Sequence, residues 1–134
     1  MFHHDKPFSG FSVDNLEQAR QFYHDTLGLD VADTPMGMLE LKIDHDTKVF
    51  VYEKPNHTPA TFTILNFPVD NIDRAVDELS EKGVRFQIYK EGDLKTNEKG
   101  IAKPASGQGP KIAWFKDPAG NFLSVLEDPT RRAD

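Results

Sequence analysis

Five histidines, 22 acidic side chains and no cysteine define the chemistry this chain could attempt. Without cysteine there is no thiolate nucleophile, no sulfur ligand and no disulfide. His3 and His4 stand beside Asp5 and could collect a transition metal, but adjacent side chains near a chain terminus make a poor functional site. His24 falls near the end of a helical pattern, where a cation complements the dipole. His45 sits in the acidic turn Asp44-His45-Asp46, and His57 lies in a proline-containing linker from which it could reach a cavity rim. None has an identifiable partner in the sequence, so a surface role is expected for each. Glu127 and Asp128 are adjacent at a strand end and read as solvated. Gly107-Gln108-Gly109 lacks the preceding strand and following helix that would make it a phosphate loop.

Composition narrows the partners. A net charge of −6 disfavours nucleic acid, which needs a basic face to release phosphate counterions. It leans mildly toward a cationic or neutral ligand, although a modest acidic excess also serves solubility. No apolar run approaches the roughly 20 residues that span a bilayer. The start, Met1 to Pro7, has no basic-then-apolar signal pattern, so the cytoplasm is the expected location. A length of 134 residues is expected to make one domain with a true core, supplied in part by ten phenylalanines.

The elements that must position any site announce themselves as a repeat. Val13-Asp14-Asn15-Leu16 with Ala19 recurs 56 residues later as Val69-Asp70-Asn71-Ile72 with Ala75. Each copy follows a short apolar strand pattern and opens a helix, with Asp14 or Asn15 as the first N-cap. The first helix places Leu16, Ala19, Phe22, Tyr23 and Leu27 on one stripe and ends at Gly28. Strands are expected near Asp30–Asp33, over Met38–Ile43 and over Lys48–Glu53. Lys54–Pro59 reads as a linker. The second copy has a strand over Thr61–Phe67 and a helix from Ile72 to Gly83. Strands follow over Val84–Tyr89, Lys111–Phe115 and Asn121–Glu127. The aperiodic stretch Lys90–Pro110 is either a binding lid or a disordered hairpin tip. The tail after Pro129 is expected to fray.

Each half is therefore strand–helix–strand–strand–strand, an α+β fold of paired βαβββ modules. Module one runs about 8–53, the linker 54–60 and module two about 61–127. The modules are expected to form a curved mixed sheet around a cavity. By alternation, Phe8, Gly10 and Ser12 would face that cavity, with Phe62, Ile64 and Asn66, and with Phe122, Ser124 and Leu126. Tyr52, Glu53, Tyr89 and Trp114 are further candidates whose parity the pattern leaves open. Such a lining suits a small-molecule pocket. The alternative is a second aromatic core with no room for a ligand.

Phe11-Ser-Val-Asp-Asn-Leu16 with Phe22-Tyr23 and Leu27-Gly28-Leu29 resembles the first module of the vicinal oxygen chelate superfamily. That group includes glyoxalase I, the fosfomycin- and bleomycin-resistance proteins and extradiol dioxygenases. Val69-Asp-Asn-Ile72 with Ala75, Leu79 and Gly83-Val84 resembles its second module, and Phe115-Lys-Asp-Pro-Ala-Gly-Asn121 its C-terminal signature. The resemblance runs from about Phe8 to Glu127. It implies a homodimer and, in the enzymes, metal ligands at three positions that are Phe8, Ile64 and Ser124 here. A further carboxylate would fall at Val51 or Glu53. Phenylalanine and isoleucine cannot donate to a cation, so no metal and no cofactor is expected at those positions.

Three functions follow as expectations. The first is a metal-free protein binding an aromatic or cationic small molecule between aromatic walls. The second is a lyase- or isomerase-like or dioxygenase-like enzyme with a relocated metal, using Glu53, His57 and a carboxylate of the long loop. The third is an interaction module whose cavity is vestigial.

Overall fold

A computed structural model describes residues 2–3, 5–44, 46–104 and 109–128. His4, His45, the Gly107-Gln108 pair and the tail after Pro129 lie outside the described residues. The chain divides into two compact units, Met1–Pro59 and Ala60–Asp134.

The first unit contains β1 (Ser9–Val13), α1 (Leu16–Arg20), β2 (Asp30–Asp33), β3 (Leu39–Lys42) and β4 (Lys48–Glu53). Its mixed sheet has the order β1-β4-β3-β2, with β1 and β4 parallel. Period-two alternation places Phe11, Val13, Leu39, Leu41, Val49 and Val51 in the core, where Ala19 and Tyr23 cover them. Burying each large apolar side chain contributes about 1.5–3 kcal/mol.

The helix is shorter than its apolar stripe suggests. Regular α geometry ends at Arg20, and Gln21–Thr26 form a π-helical turn. Leu27 N–H donates to Phe22 O at 3.0 Å and Leu29 N–H to Tyr23 O at 2.9 Å. The widened turn accommodates the neighbouring aromatics Phe22 and Tyr23, whose rings meet edge to face at 5.2 Å. Gly28, at φ 76°, ends the segment as its sequence implies.

The second unit contains β5 (Thr63–Val69), α2 (Ile72–Glu81), β6 (Ile101–Ala102), β7 (Ile112–Lys116) and β8 (Phe122–Glu127). Its sheet order, β5-β8-β7-β6, repeats the first, and β5 and β8 are parallel. Each unit is thus βαβββ, and the fold is α+β with two four-stranded mixed sheets. Pro68 lies in β5 without disrupting the ladder, because β5 is an edge strand. Ile72 and Val76 of α2 pack into a core with Ala113, Phe115, Leu123 and Val125.

Two strand expectations need correction here. Val84–Tyr89 forms no strand, only a bridge from Phe86 to Phe115, while the two-residue β6 arises inside the aperiodic stretch. The reason is that both compete for the same side of β7. Ile101 and Ala102 pair with Ala113 and Ile112, leaving Phe86 only the position opposite Phe115. The strand expected over Thr61–Phe67 also starts two residues later and runs on to Val69.

The two helix starts share one device. Asn15 Oδ1 accepts from Gln18 N–H, and Asn71 Oδ1 from Arg74 N–H, each at 3.0 Å. Glu53 then accepts from Leu16 N–H at 2.9 Å, and Glu127 from Ile72 N–H at 3.0 Å. Each carboxylate comes from the end of the strand parallel to the one leading into the helix. Glu127 is therefore a helix cap, contrary to the solvated role its sequence suggests. Asn71→Ala should lower the unfolding free energy by about 1 kcal/mol in chemical denaturation.

Arg20 joins helix to sheet through Asp33, at 2.5 Å, and through Glu17. The hydrogen bond from Arg20 holds the Asp33 carboxyl below the ordinary carboxylate range. A depressed native pKa stabilises the fold above the unfolded value of about 3.9 and loses that effect as pH falls through the native value. Asp33→Asn should therefore lower the melting temperature at pH 7 and make a shrinking difference as melting is followed into strong acid.

Candidate functional site

Within the second unit an open groove of about 730 Å³ runs along one face of the sheet. The register explains which residues reach it. Trp114 pairs with Ser124, Lys116 with Phe122 and Thr63 with Phe122, so Thr63, Trp114 and Phe122 share a face. Phe115, Leu123 and Val125 fall on the opposite, buried face. Tyr89 stands edge to face against Trp114, with centroids 6.0 Å apart. Phe62, 69% exposed, lies just before β5 and forms another wall with Thr61.

The rim comes from the stretch that the sequence leaves without periodicity. Glu91, Gly92, Asp93 and Leu94 line the groove, and Leu94 is 58% exposed. They are the tip of a closed loop. Thr96 N–H donates to Tyr89 O at 2.8 Å, and Thr96 Oγ1 accepts from Tyr89 N–H at 3.0 Å. Lys99 then ties the loop to α2, reaching Asp73 at 3.2 Å and Asp77 at 3.0 Å. Hydrogen bonds to Asp77 and to Asp73 hold the Lys99 ammonium above the ordinary lysine range.

Gly100 closes this arrangement. It adopts φ 91°, and a Cβ there would stand 2.7 Å from Phe86 Cβ and 3.1 Å from Gln87 O. The described part of the loop, residues 90–104, is therefore tied down at Tyr89 and at α2.

The residues singled out by sequence fall in several environments. Trp114, Phe62 and Phe122 line the groove, while Ile64 sits where the β5–β8 register shifts between Thr63 and Leu65. That shift breaks the alternation assumed for Phe62, Ile64 and Asn66. Asn66 pairs with Ser124 across the sheet, and the fully buried Ser124 hydroxyl donates to Asn66 Oδ1 at 2.5 Å. In the first unit, Phe8 is 67% exposed and leans on Phe50, with ring centroids 4.6 Å apart. Ser12 and Tyr52 face each other in the β1–β4 register. The Ser12 hydroxyl lies 2.7 Å from His57 Nδ1, a partner the sequence did not reveal.

These side chains do not suit a resident metal. The three positions at which the resemblance implies ligands hold the hydrocarbons of Phe8 and Ile64 and a Ser124 hydroxyl engaged with an amide. Glu53 caps a helix and His57 pairs with Ser12. Among the described residues, no three His, Cys, Asp or Glu side chains gather into a metal-binding group. Among them, too, no helix is long and apolar enough to cross a membrane.

Residues 8–125 match the family model of the Glyoxalase/Bleomycin resistance protein/Dioxygenase superfamily, and the chain belongs to that superfamily. A superfamily member from Sphaerobacter thermophilus DSM 20745 is 22% identical, with a TM-score of 0.66 over 91% of this chain and 97% of its own. TnmS3, an antibiotic binding protein from Streptomyces sp. CB03234, is 25% identical, with a TM-score of 0.63 over 94% and 98% of the two chains. A glyoxalase/bleomycin resistance protein from the same Streptomyces strain is 26% identical, with a TM-score of 0.58 over 90% and 99%. No curated protein matches the chain.

Gly100→Ala should destabilise the protein by about 1–3 kcal/mol, because the substituted residue meets both an unfavourable φ and a backbone neighbour. Urea denaturation followed by circular dichroism measures the loss.

Proposed function

We propose that the protein binds a planar aromatic small molecule carrying positive charge. It holds the ligand in the groove of the second unit by stacking and charge rather than by metal coordination. The observation that carries this reading is the groove itself, where Phe62, Tyr89, Trp114 and Phe122 meet Glu91 and Asp93 along one open wall. Aromatic faces are electron-rich and attract a cation lying over them, by about 0.5–1 kcal/mol at exposed sites. Lys116 Nζ already stands 5.0 Å from the Phe122 centroid, so the ligand's charge belongs toward Glu91 and Asp93 and its flat apolar surface against Phe122. The two carboxylates add a directional field that an anionic ligand would oppose.

The antibiotic binding role stated for TnmS3 supports a binder within this fold. The proposal places the protein in the cytoplasm as a homodimer, a state that light scattering would report as twice the protomer mass.

Trp114 is the chain's sole tryptophan and lies in the groove, so its fluorescence reports on occupancy. Proflavine, a planar cation, should quench it saturably and give a matching calorimetric isotherm. Anthraquinone sulfonate, a planar anion, should bind at least several-fold more weakly. Phe122→Ala should weaken proflavine binding about tenfold through lost stacking area. The double variant Glu91→Gln with Asp93→Asn should weaken it several-fold at low salt and little at high salt. Equal affinity for the two dyes, or stoichiometric metal in the purified protein together with metal-dependent turnover, would overturn the reading.

A further inference from the structure

The superfamily signature supplies a buried polar cluster that the binding reading leaves unused. Asp117 and Asn121 are 4% and 2% exposed. Asp117 Oδ1 accepts from Asn121 N–H at 2.8 Å and from Ala119 N–H at 3.0 Å. Backbone bonds close the same turn, from Asp117 N–H to Asn121 O and from Gly120 N–H to Asp117 O, both at 3.0 Å. The turn is thus closed by backbone bonds and by the Asp117 carboxylate. The Asn121 side chain adds one more bond within the turn, its Nδ2 donating to Asp117 Oδ2 at 3.1 Å, and one that leaves it, its Oδ1 accepting from Ala60 N–H at 3.2 Å. The carboxylate can only accept and the backbone amide can only donate, so the amide group has one satisfying orientation.

Ala60 is the first residue of the second unit. The three residues after it, Thr61, Phe62 and Thr63, are one wall of the groove, and Phe122, directly after Asn121, is another. Thr61 and Phe62 lie outside β5 and are exposed, so burial does not fix them. Thr63 meets Phe122 in the strand register immediately beyond. We infer that Asn121 is a positioning residue for the ligand groove, tying the Thr61–Thr63 wall to the turn that presents Phe122. This inference rests on the groove being the ligand site. It assigns Asn121 no contact with the ligand.

The test separates positioning from stability. Asn121→Ala removes the bond to Ala60 together with the side-chain bond to Asp117, leaving the backbone bonds of the turn, and Val76→Ala, on the opposite side of the sheet in α2, serves as a core-destabilising control. Hydrogen exchange followed by mass spectrometry needs no ligand. Under conditions where both variants are folded, Asn121→Ala should speed exchange over residues 60–63 about tenfold, as expected for one lost hydrogen bond. Val76→Ala should leave that segment unchanged relative to the rest of its unit. Proflavine affinity should fall about five- to tenfold in Asn121→Ala and stay at the wild-type value in Val76→Ala.

Should Asn121→Ala fail to fold, Asn121→Ser supplies a shorter polar group that cannot span both partners and should give the same pattern. Unchanged exchange over 60–63, or equal loss of affinity in Val76→Ala, would overturn the role of Asn121. Failure of the wild-type protein to bind proflavine would instead overturn the reading of the groove, with the exchange result standing separately.

Discussion

The N-terminus of each helix is where the two units are most alike and where their architecture is decided. A helix start leaves backbone N–H groups without intrahelical partners, and here an asparagine and a glutamate divide that task. The asparagine is local, a few bonds from the amide it serves. The glutamate arrives from the far end of the module, on the strand parallel to the one that feeds the helix. Lys54 N–H to Val13 O, at 2.9 Å, and Asp128 N–H to Val69 O, at 2.7 Å, continue the same junction. First and last strands of each module are thus locked side by side, and the middle strands fill out the sheet.

Much of this was legible because it is written in local chemistry. Asn15 and Asn71 are short polar side chains before apolar helical stripes, and both are N-caps. Lys48–Glu53 is a strand with the expected bounds, since its alternation is clean. The failures share a different cause, which is competition for space. Val84–Tyr89 has strand-like residues but meets a neighbour already partly occupied by Ile101 and Ala102. The irregularity at Ile64 shifts which residues share a face, and nothing in its own side chain announces that.

The candidate site was half visible for the same reason. Phe122 could be named from strand parity, Trp114 from its aromatic character with its parity open, and Phe62 from an alternation that the register shift interrupts. Glu91, Asp93 and Leu94 could not, because they lie in a stretch with no period and reach the groove only through ties made by Thr96 and Lys99. The Ser12–His57 pair and the Asn121–Ala60 bond were hidden by separations of 45 and 61 residues. Side-chain chemistry told what each could bond with, but not which distant group would come within reach.

The duplication is also unequal. The asparagine caps are 56 residues apart, whereas the capping glutamates are 74 apart, so the second copy carries 18 additional residues between helix and final strand. That surplus includes the segment that rims the groove. Within it, Glu91–Leu94 lie beyond the Tyr89–Thr96 tie, so variation at that tip reshapes the rim and leaves β6 and the Lys99 anchor in place.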